Sequence, residues 1–509
     1  MDKNKLKDIA GLGDVARTLQ AGGKTVVLAH GTFDLMHLGH VRHLEAARKE
    51  GDVLIVTVTA DPFVNKGPGR PIFSHFMRAE MLGSLECVDY VGVNEAATAE
   101  NVLETVRPDV YVKGSDYAND DDDVTGGIVS ERRAVEKHGG RLVFTNEVTF
   151  SSSSLANRHL DIYDPPLREF LDRHRQRNSL EELSRLLEGL KDIRVLMVGD
   201  IIIDEYRYVL PMGRSSKENM IATLFQGQEL FAGGVIAAAN HVADFCREVE
   251  VLSCLGEQDS HEELIRASLH ANVRLTALPR PDMPTNLKTR FVDQSYLRKL
   301  FEVYVMDDTP LANGLETQFI ANIREKAAAA DIVIVTDFGH GLITPRIIDA
   351  LIETAPFLAV NAQTNSANTG FNLITKYRKA DYICIDSPEA RLAVADKHAD
   401  IVSTVSKLLP ERIDCRRIIV TNGRHGCVSY DGDSGHVVQV PAFTRTVIDT
   451  VGAGDAFFAV TAPLVAIGVD MERVALVGNA AGALKVNIVG HRKSVEKSSL
   501  LKYIQTLLK

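Results

Sequence analysis

From residue 25 to residue 150, short apolar runs alternate with amphipathic stretches: TVVLA, HVRHLEAARKEG, DVLIVTVTA, RAEMLGSLE, DYVGV, DVYVKG and GRLVF. Apolar runs of this length, separated by helical patterns, predict β-α-β units and a parallel sheet covered on both faces. Between Asp164 and Asp192 the pattern changes to DPPLREFLDRHRQRNSLEELSRLLEGLKD, which opens on two prolines and becomes charge-rich with a helical apolar stripe. A linker has this character. From Arg194 a second, longer series begins with RVLMVGDIIID and runs through EVEVLSCLG, DIVIVTDFG, FLAVNAQ, DYICID and RRIIVTNG to the helical VALVGNAAGALKV. Two segments interrupt it, ATLFQGQEL and LKTRFVDQSYLRKLFEVYV, whose strand-like alternation keeps polar residues outward. They predict a small sheet over the mouth of the main one. The chain therefore reads as α/β in two domains, 1–160 and 193–509, joined by a helical linker region at 161–192, with no internal repeat.

Composition narrows the chemistry. At 509 residues the chain is longer than one hydrophobic core usually covers, and 45% hydrophobic with 25% charged residues is the balance of a globular protein. Acidic residues outnumber basic ones, 68 to 57, for a net charge of -11. Nucleic-acid binding needs a basic field to replace counterions around phosphates, so small-molecule substrates are expected instead. The six cysteines form no Cys-x-x-Cys pair and read as buried thiols of a reducing compartment. The N-terminus lacks an apolar signal core, and no run reaches the ~18 apolar residues of a membrane span. A cytoplasmic protein without membrane contact is expected. The acidic run Asp120 to Asp123 reads as a solvated loop, because adjacent carboxylates cannot all face one ion.

The first candidate site lies where TVVLA runs into HGTFDLMHLGH and then into a helical pattern. His37 and His40 would sit where a strand ends and a helix begins, a location that binds anions through free N–H groups and the helix dipole. Two imidazoles three residues apart can serve one triphosphate, and Gly39 between them leaves room for a nucleotide against the backbone. Donors held there would stabilise the charge that grows on phosphate oxygens during nucleotidyl transfer. The segment GTFDLMHLGH, with Gly31, Thr32, Phe33, Asp34, His37, Gly39 and His40, resembles the signature of the cytidylyltransferase-like nucleotidyltransferases, a Rossmann-like family. The resemblance implies further nucleotide or phosphate contacts at Lys66, Arg78, the KGSDY run with Lys113, Gly114 and Asp116, and the serines Ser151 to Ser154, of which Ser152 and Ser153 are central. The serines read equally well as a flexible polar loop.

The second candidate site is DTVGAGDAFFA. Gly452, Ala453 and Gly454 precede an apolar helical run, so their amides would form a positively polarised nest at a helix N-terminus. Asp455 follows at once, placed to accept the proton of a hydroxyl attacking a γ-phosphate. No Gly-Lys-Ser/Thr follows the glycines, which excludes a Walker A loop. From Arg194 onward the chain resembles the ribokinase-like, PfkB-type sugar kinases, and VKGSDY and the kinase half together resemble the bifunctional heptose-7-phosphate kinase/heptose-1-phosphate nucleotidyltransferases. This resemblance implies Asp455 as catalytic base and Gly452 to Gly454 as anion hole. It also implies Asp200 and Asp204, with Gly199, as the strand facing sugar hydroxyls, and Gly233 and Gly234 as a di-glycine under the sugar. Glu389 would be linked to a magnesium ion, and Thr421, Gly423 and Gly426 would lie along ATP. Arg214, Lys288, Arg290, Arg298 and Lys299 around the small sheet read either as a grip on the sugar's own phosphate or as a solvated ribbon face.

The implied activities are ATP-dependent phosphorylation of heptose 7-phosphate at C1 and nucleotidyl transfer from ATP or CTP to a sugar 1-phosphate, steps toward lipopolysaccharide core sugars. A homodimer through the small sheet is implied as well. The chain departs from the pattern in several places. The transferase precedes the kinase here, whereas the family has the kinase first. Ala237 stands where a sugar-binding asparagine is usual, Asn361, Ala362 and Gln363 stand in place of Asp-Pro-Lys, and Asp386 replaces an asparagine. Sites that read hydroxyls by hydrogen bonding discriminate strongly, so these changes predict a different sugar preference or a weaker kinase. Another sugar or polyol phosphate, or a kinase-like half that only binds or dimerises, are the alternatives.

Overall fold

The computed structural model describes residues 5–64, 70–96, 98–114, 127–145, 163–177, 180–444 and 446–508. Two units emerge, Met1–Leu180 with Leu501–Lys509, and Glu181–Leu500.

The first unit begins with α1 (Ile9–Ala21), β1 (Val26–Gly31), α2 (Leu38–Arg48), β2 (Val53–Thr59), α3 (His75–Gly83) and β3 (Tyr90–Asn94). It continues with α4 (Glu100–Val106), β4 (Val110–Gly114), α5 (Gly127–Glu136), β5 (Arg141–Thr145) and α6 (Pro165–Arg177). Five parallel strands lie in the order β3-β2-β1-β4-β5. Alternate strand residues face opposite sides, as the pleat requires. Val27, Ala29, Leu54 and Val56 pack on Leu44, Ala47, Ala79 and Leu82 of α2 and α3. Val26, Leu28 and Ile55 pack on Leu12, Ala16, Val102 and Val106 of α1 and α4. Each aliphatic side chain buried in this way contributes about 1.5–3 kcal/mol. Because β1 has β2 on one side and β4 on the other, the winding reverses between β1 and β4, and the ligand crevice of such sheets opens outside the carboxyl ends of those strands. The residues after Gly31 and the pair Lys113–Gly114 therefore meet at that crevice. The chain's last residues also belong to this unit, where Arg175 donates to the carbonyls of Leu507 and Leu508 at 3.0 and 3.2 Å.

The second unit follows α7 (Leu180–Glu188) with β6 (Arg194–Gly199), β7 (Ile201–Arg214), β8 (Ile221–Gly234), α8 (Val235–Ala243), β9 (Glu248–Gln258), α9 (Glu262–Ser268) and β10 (Val273–Pro284). Next come β11 (Asn286–Asp293), β12 (Arg298–Val305), α10 (Asn313–Ala327), β13 (Ile332–Asp337), α11 (Pro345–Thr354), β14 (Leu358–Ala362), β15 (Tyr382–Asp386), α12 (Ser387–Val394) and β16 (Arg417–Thr421). The unit closes with β17 (Cys427–Asp431), β18 (His436–Val440), α13 (Ala453–Ala466) and α14 (Met471–Lys485); the last helix, α15 (Lys497–Leu508), begins in this unit and ends among the residues assigned to the first. The main sheet has the order β10-β9-β6-β13-β14-β15-β16-β17-β18. It is parallel through β16 and ends in an antiparallel β17–β18 hairpin that the apolar pattern does not announce.

The expected small sheet is present, in the order β12-β11-β7-β8. Its composition differs from expectation in one respect. RVLMVGDIIID reads as a single strand of the main series, yet β6 ends at Gly199 and β7 enters the small sheet, pairing antiparallel with β8 from Ile201↔Gly234 to Arg214↔Ile221 and parallel with β11. Among the described residues no helix is long and apolar enough to cross a membrane. All six cysteines are free thiols; Cys246, Cys384, Cys415 and Cys427 are buried, while Cys87 and Cys254 are half-buried.

Candidate active sites in the two units

In the first unit β1 hands over to α2 through a tight loop in which Phe33 and Leu35 both adopt positive φ, 50° and 49°. Non-glycine residues rarely take this conformation, and such strain concentrates at ligand-binding loops. His37 is the N-cap of α2, its Nδ1 accepting from the Gly39 amide at 3.1 Å. The His37 and His40 rings stack with centroids 4.0 Å apart, and Phe33 meets the His40 ring edge-on at 5.4 Å. Burial holds the His37 imidazole below its ordinary pKa. Lys113, at the end of β4 beside the crevice, forms an ion pair with Glu131 at 2.8 Å. Burial together with Lys113 lowers the neighbouring His43 to a pKa of about 4.

Two charged residues of this region are engaged by the protein's own loops. Asp34 is buried and accepts from the amides of Ile72 and Phe73 at 3.0 and 3.2 Å, tying the β1–α2 loop to the segment before α3. Arg78, also buried, donates to the carbonyls of Phe73, Thr32 and Thr59 at 2.9, 2.5 and 2.7 Å and to Asp61 at 2.6 Å. It braces the loop from beneath. Lys66, Asp116 and the serines Ser151 to Ser154, with Ser152 and Ser153, lie outside the described residues, as does the run Asp120 to Asp123.

In the second unit the parallel registers align the strand ends in one rim: Gly199 opposite Thr336, Asp337 opposite Ala362, and Asp386 opposite Thr421. Asp200 follows β6 at the rim and accepts from the Phe338 amide at 3.1 Å; burial, then the nearby Asp337, push its carboxyl up to about 7. The helix α13 starts at Gly452, whose φ of 76° is the left-handed turn that glycine permits. Asp455 stands in the first turn of α13, buried, and accepts a hydrogen bond from the side-chain amide of Gln363 just past β14. Burial raises its pKa above the ordinary value, opposed by His491, Gln363 and Lys485.

The small sheet supplies the facing wall. Asp204 of β7 pairs with Arg290 of β11 and lies 3.1 Å from Nε2 of His491. Burial alone would raise the Asp204 carboxyl, but His491 and Arg290 outweigh it and hold it well below the usual range. A Cβ at Gly233 would collide with that carboxylate, so glycine is required where β8 passes it. Gly234 follows with φ 60° against the Asp200 carbonyl. Lys288 is buried beside these groups, opposite Asp204 in register, and burial lowers its ammonium's pKa. Arg214 is not gathered here; it stands at the tip of the β7–β8 hairpin, roughly 33 Å along the strand from Asp204. Lys299 binds Asp449 at 2.6 Å, and Arg298 opens β12 at its exposed end.

Glu389 caps α12 in a capping box: its carboxylate accepts from the amides of Thr364 and Asp386, both at 2.8 Å, while Asp386 accepts from the Glu389 amide at 2.8 Å. Burial, then the Asp386 charge, push Glu389 up to about 8. Thr421 ends β16 on the same rim, and Gly423 and Gly426 follow it, where the Asn422 amide closes the turn onto the Gly426 carbonyl at 2.7 Å.

Several residues of this site escape sequence reading. Lys485 is fully buried and donates to the carbonyls of Val451 and Gly490 at 2.8 and 2.7 Å. Asp449 accepts from Tyr206, Lys299 and the Gly490 amide at 2.7, 2.6 and 2.8 Å. His340 is buried beside Lys288, and the His491 side chain lies beside Asp204. None belongs to a motif. Only Gly490 before His491 hints at a turn.

Comparison with known proteins places each unit in a family of known fold. Residues 192–498 match the pfkB family of carbohydrate kinases, more than half of the chain. The chain belongs to that family. Residues 28–158 match the cytidylyltransferase-like family, so the first unit carries that fold ahead of the kinase unit. Curated relatives bear the name Bifunctional protein HldE, and two of them illustrate the match. The one from Syntrophotalea carbinolica is 38% identical over 164 residues, 32% of each chain. The one from Bradyrhizobium diazoefficiens is 29% identical over 316 residues, 61% of this chain and 62% of the relative. Each match spans less than two thirds of the relative's length. Among solved structures, phosphofructokinase-2 from Escherichia coli in complex with substrates and products aligns with TM-score 0.51 at 15% identity, covering 62% of this chain and all of that one. This likeness shows the fold of the kinase unit.

Proposed function

We propose that the chain carries two activities in the making of a nucleotide-activated sugar: phosphorylation of a sugar phosphate by the second unit and nucleotidyl transfer to a sugar 1-phosphate by the first. The observation that carries the kinase reading is the convergence of three distant segments on one cleft wall. Asp455 and the Gly452 turn, Asp204 of the small sheet, and Gln363 at the rim stand within hydrogen-bond or charge contact of one another. In this reading the hydroxyl of the sugar gives its proton to Asp455 as its oxygen attacks the γ-phosphorus of ATP. The bond to the bridging oxygen breaks, ADP leaves, and the amides of Gly452, Ala453 and Gly454 hold the transferred group's charge. A raised pKa suits a base that must take up a proton near neutrality. Thr421, Gly423 and Gly426 would line the nucleotide.

Magnesium, carried in on the nucleotide, keeps most of its waters and needs one or two carboxylates. Glu389 fits that modest demand: each oxygen accepts one amide and retains a lone pair for a metal-bound water. Bound there, the ion would neutralise phosphate charge.

In the transferase unit, His37 and His40 would donate to the α-phosphate and the departing pyrophosphate while the sugar phosphate oxygen attacks the α-phosphorus. Gly31, Thr32, Phe33, Gly39, Lys113 and Gly114 would frame the nucleotide, with Lys66, Asp116, Ser152 and Ser153 as further contacts. The stacked imidazoles at the head of α2, beside the crevice where the sheet's winding reverses, support this reading. The relatives' name, bifunctional, supports two activities, and heptose phosphates are the substrates we assign. Relatives matching over one unit's length at a time are what a collinear comparison yields when the order of the halves is swapped. Lys288 and Arg290 would grip the sugar; Arg214 is left out of that grip.

The apolar outer face of the small sheet, with Met212, Ile221, Phe225, Phe301 and Val303 exposed, supports a homodimer through it. Free thiols throughout suit the cytoplasm.

The test is phosphorus NMR of the protein with heptose 7-phosphate or heptose 1-phosphate and each nucleoside triphosphate in turn. An anomeric phosphate that disappears in Asp455→Asn supports the kinase, and pyrophosphate release that disappears in His40→Ala supports the transferase. Sugar binding without turnover would instead favour a kinase-like binding module, a reading to which the Gln363 contact on Asp455 lends weight.

A further inference from the structure

His491 belongs to no motif, yet its ring stands where the two sides of the kinase cleft meet. Its side chain is 6% exposed and its Nε2 lies 3.1 Å from Oδ2 of Asp204. On the sugar side, a Cβ built on Gly233 would lie 3.2 Å from Nε2. On the phosphoryl side, a Cβ on Gly452 would lie 2.8 Å from Cε1 and 3.3 Å from Nδ1. The ring therefore packs against both glycine turns at once. The peptide before it is held on both edges: the Gly490 amide donates to Asp449 at 2.8 Å, and the Gly490 carbonyl accepts from Lys485 at 2.7 Å. Such a clamp leaves the imidazole little freedom to turn away. Nδ1 nevertheless is buried and has no hydrogen-bond partner among the described residues. Buried polar atoms are nearly always paired, and an exception calls for a partner such as a water, an ion or a ligand.

We propose that His491 is a substrate-binding residue of the kinase site, whose Nδ1 accepts a hydrogen bond from a sugar hydroxyl neighbouring the one that is phosphorylated. This deepens the kinase reading and rests on it. The chemistry follows from the second nitrogen. A carboxylate can only accept, so Asp204 keeps a proton on Nε2, and in the neutral ring this leaves a lone pair on Nδ1, 3.3 Å from the Cβ position of Gly452. Arg290, pairing with the other oxygen of Asp204, holds that carboxylate in place as the acceptor. A relay of guanidinium, carboxylate and imidazole thus presents one acceptor to the sugar, beside the base that receives the attacking hydroxyl's proton. The ligand it selects is a polyhydroxylated ring with a hydroxyl adjacent to the reacting carbon, and a deoxy analogue at that position should be refused.

Kinetics of His491→Leu and His491→Asn with heptose 7-phosphate and ATP test this. The expected result for His491→Leu is a KM for the sugar phosphate raised at least about tenfold with the KM for ATP within about twofold, as loss of one read hydroxyl predicts. His491→Asn, whose side-chain oxygen reaches a similar place, should recover most of the affinity. In the wild-type protein the His491 Nδ1 resonance in 15N NMR should move on adding heptose 7-phosphate and stay put on adding ATP alone, a readout that needs no variant to fold. An unchanged sugar KM in both variants, an equal rise of both KM values, or an Nδ1 resonance indifferent to sugar would overturn the assignment while leaving the kinase intact. A wild-type protein that phosphorylates no sugar would instead remove the kinase reading itself, and this inference with it.

Discussion

Gln363 donates its side-chain amide to Oδ1 of Asp455, joining the loop past β14 to the first turn of α13. The bond favours the ionised carboxylate, and so works against the burial that raises the Asp455 pKa. Removing it in Gln363→Leu should let that pKa rise further. The acid limb of the kinase pH profile, where activity falls as Asp455 takes up a proton, should then move to higher pH. A profile that stays in place would show that the amide does not bear on the base.

The stacked pair at the head of α2 should carry nucleotidyl transfer alone. His40→Ala removes a donor aimed at developing charge, which costs about 10²–10³-fold in rate. Pyrophosphate release assays should show that loss, while phosphorylation by the other unit proceeds at the wild-type rate.

Asp449 ties Tyr206, Lys299 and the Gly490 peptide into one cluster. Burial opposes its ionisation, but Lys299, the Gly490 amide and Tyr206 outweigh it and bring the pKa to about 2, against 3.8 for an unperturbed carboxyl. A depressed folded-state pKa gives stability that is complete above the unfolded value and lost as pH falls toward the folded one. Acid unfolding of the kinase unit should thus steepen between pH 3.8 and about 2, and Asp449→Ala should lose that slope. The same variant should be destabilised by about 3 kcal/mol at neutral pH, since it strands a half-buried ammonium. Urea unfolding reads both.

Lys485 acts with the same sign in a higher pH window. Burial pulls its pKa down to about 8 from 10.5, only partly offset by Asp449 and Asp455. Between those values the unfolded chain binds the extra proton, so this group's share of the stability rises with pH. Lys485→Met should flatten that rise in chemical denaturation between pH 8 and 10.5. It also leaves the carbonyls of Val451 and Gly490 without their donor, at about 1–3 kcal/mol each. Freed of this tie, the glycine turn should misplace the phosphoryl group and slow the kinase by at least about tenfold.

Much of the architecture was legible along the chain because it is local. Period-two and helical patterns place the strands and helices, and a strand that runs into Gly-Thr-Phe-Asp and then a helix puts His37 beside His40 wherever the rest of the chain goes. Gly452 to Asp455 work the same way, since the nest and its carboxylate lie within one turn of helix. Which charged residues serve the sites is not local. That Asp34 and Arg78 also brace the loop is not readable in sequence, because their partners come from the loop after β1, from β2 and from the segment before α3. Arg214 shares a strand with Asp204, yet the hairpin carries it to the tip.

The sequence by itself therefore determined two α/β units, their order, and the two phosphate-binding turns, all properties of short segments and their hydrophobic period. Only the tertiary structure decided that β7 leaves the main sheet for the small one, that Asp204 meets His491 287 positions away, and that Lys485 and Asp449 hold the Gly490 peptide. The physical reason is that these contacts arise between residues far apart in the chain, where strand pairing and burial choose the partner, and a side chain's own identity does not say which distant group it will face.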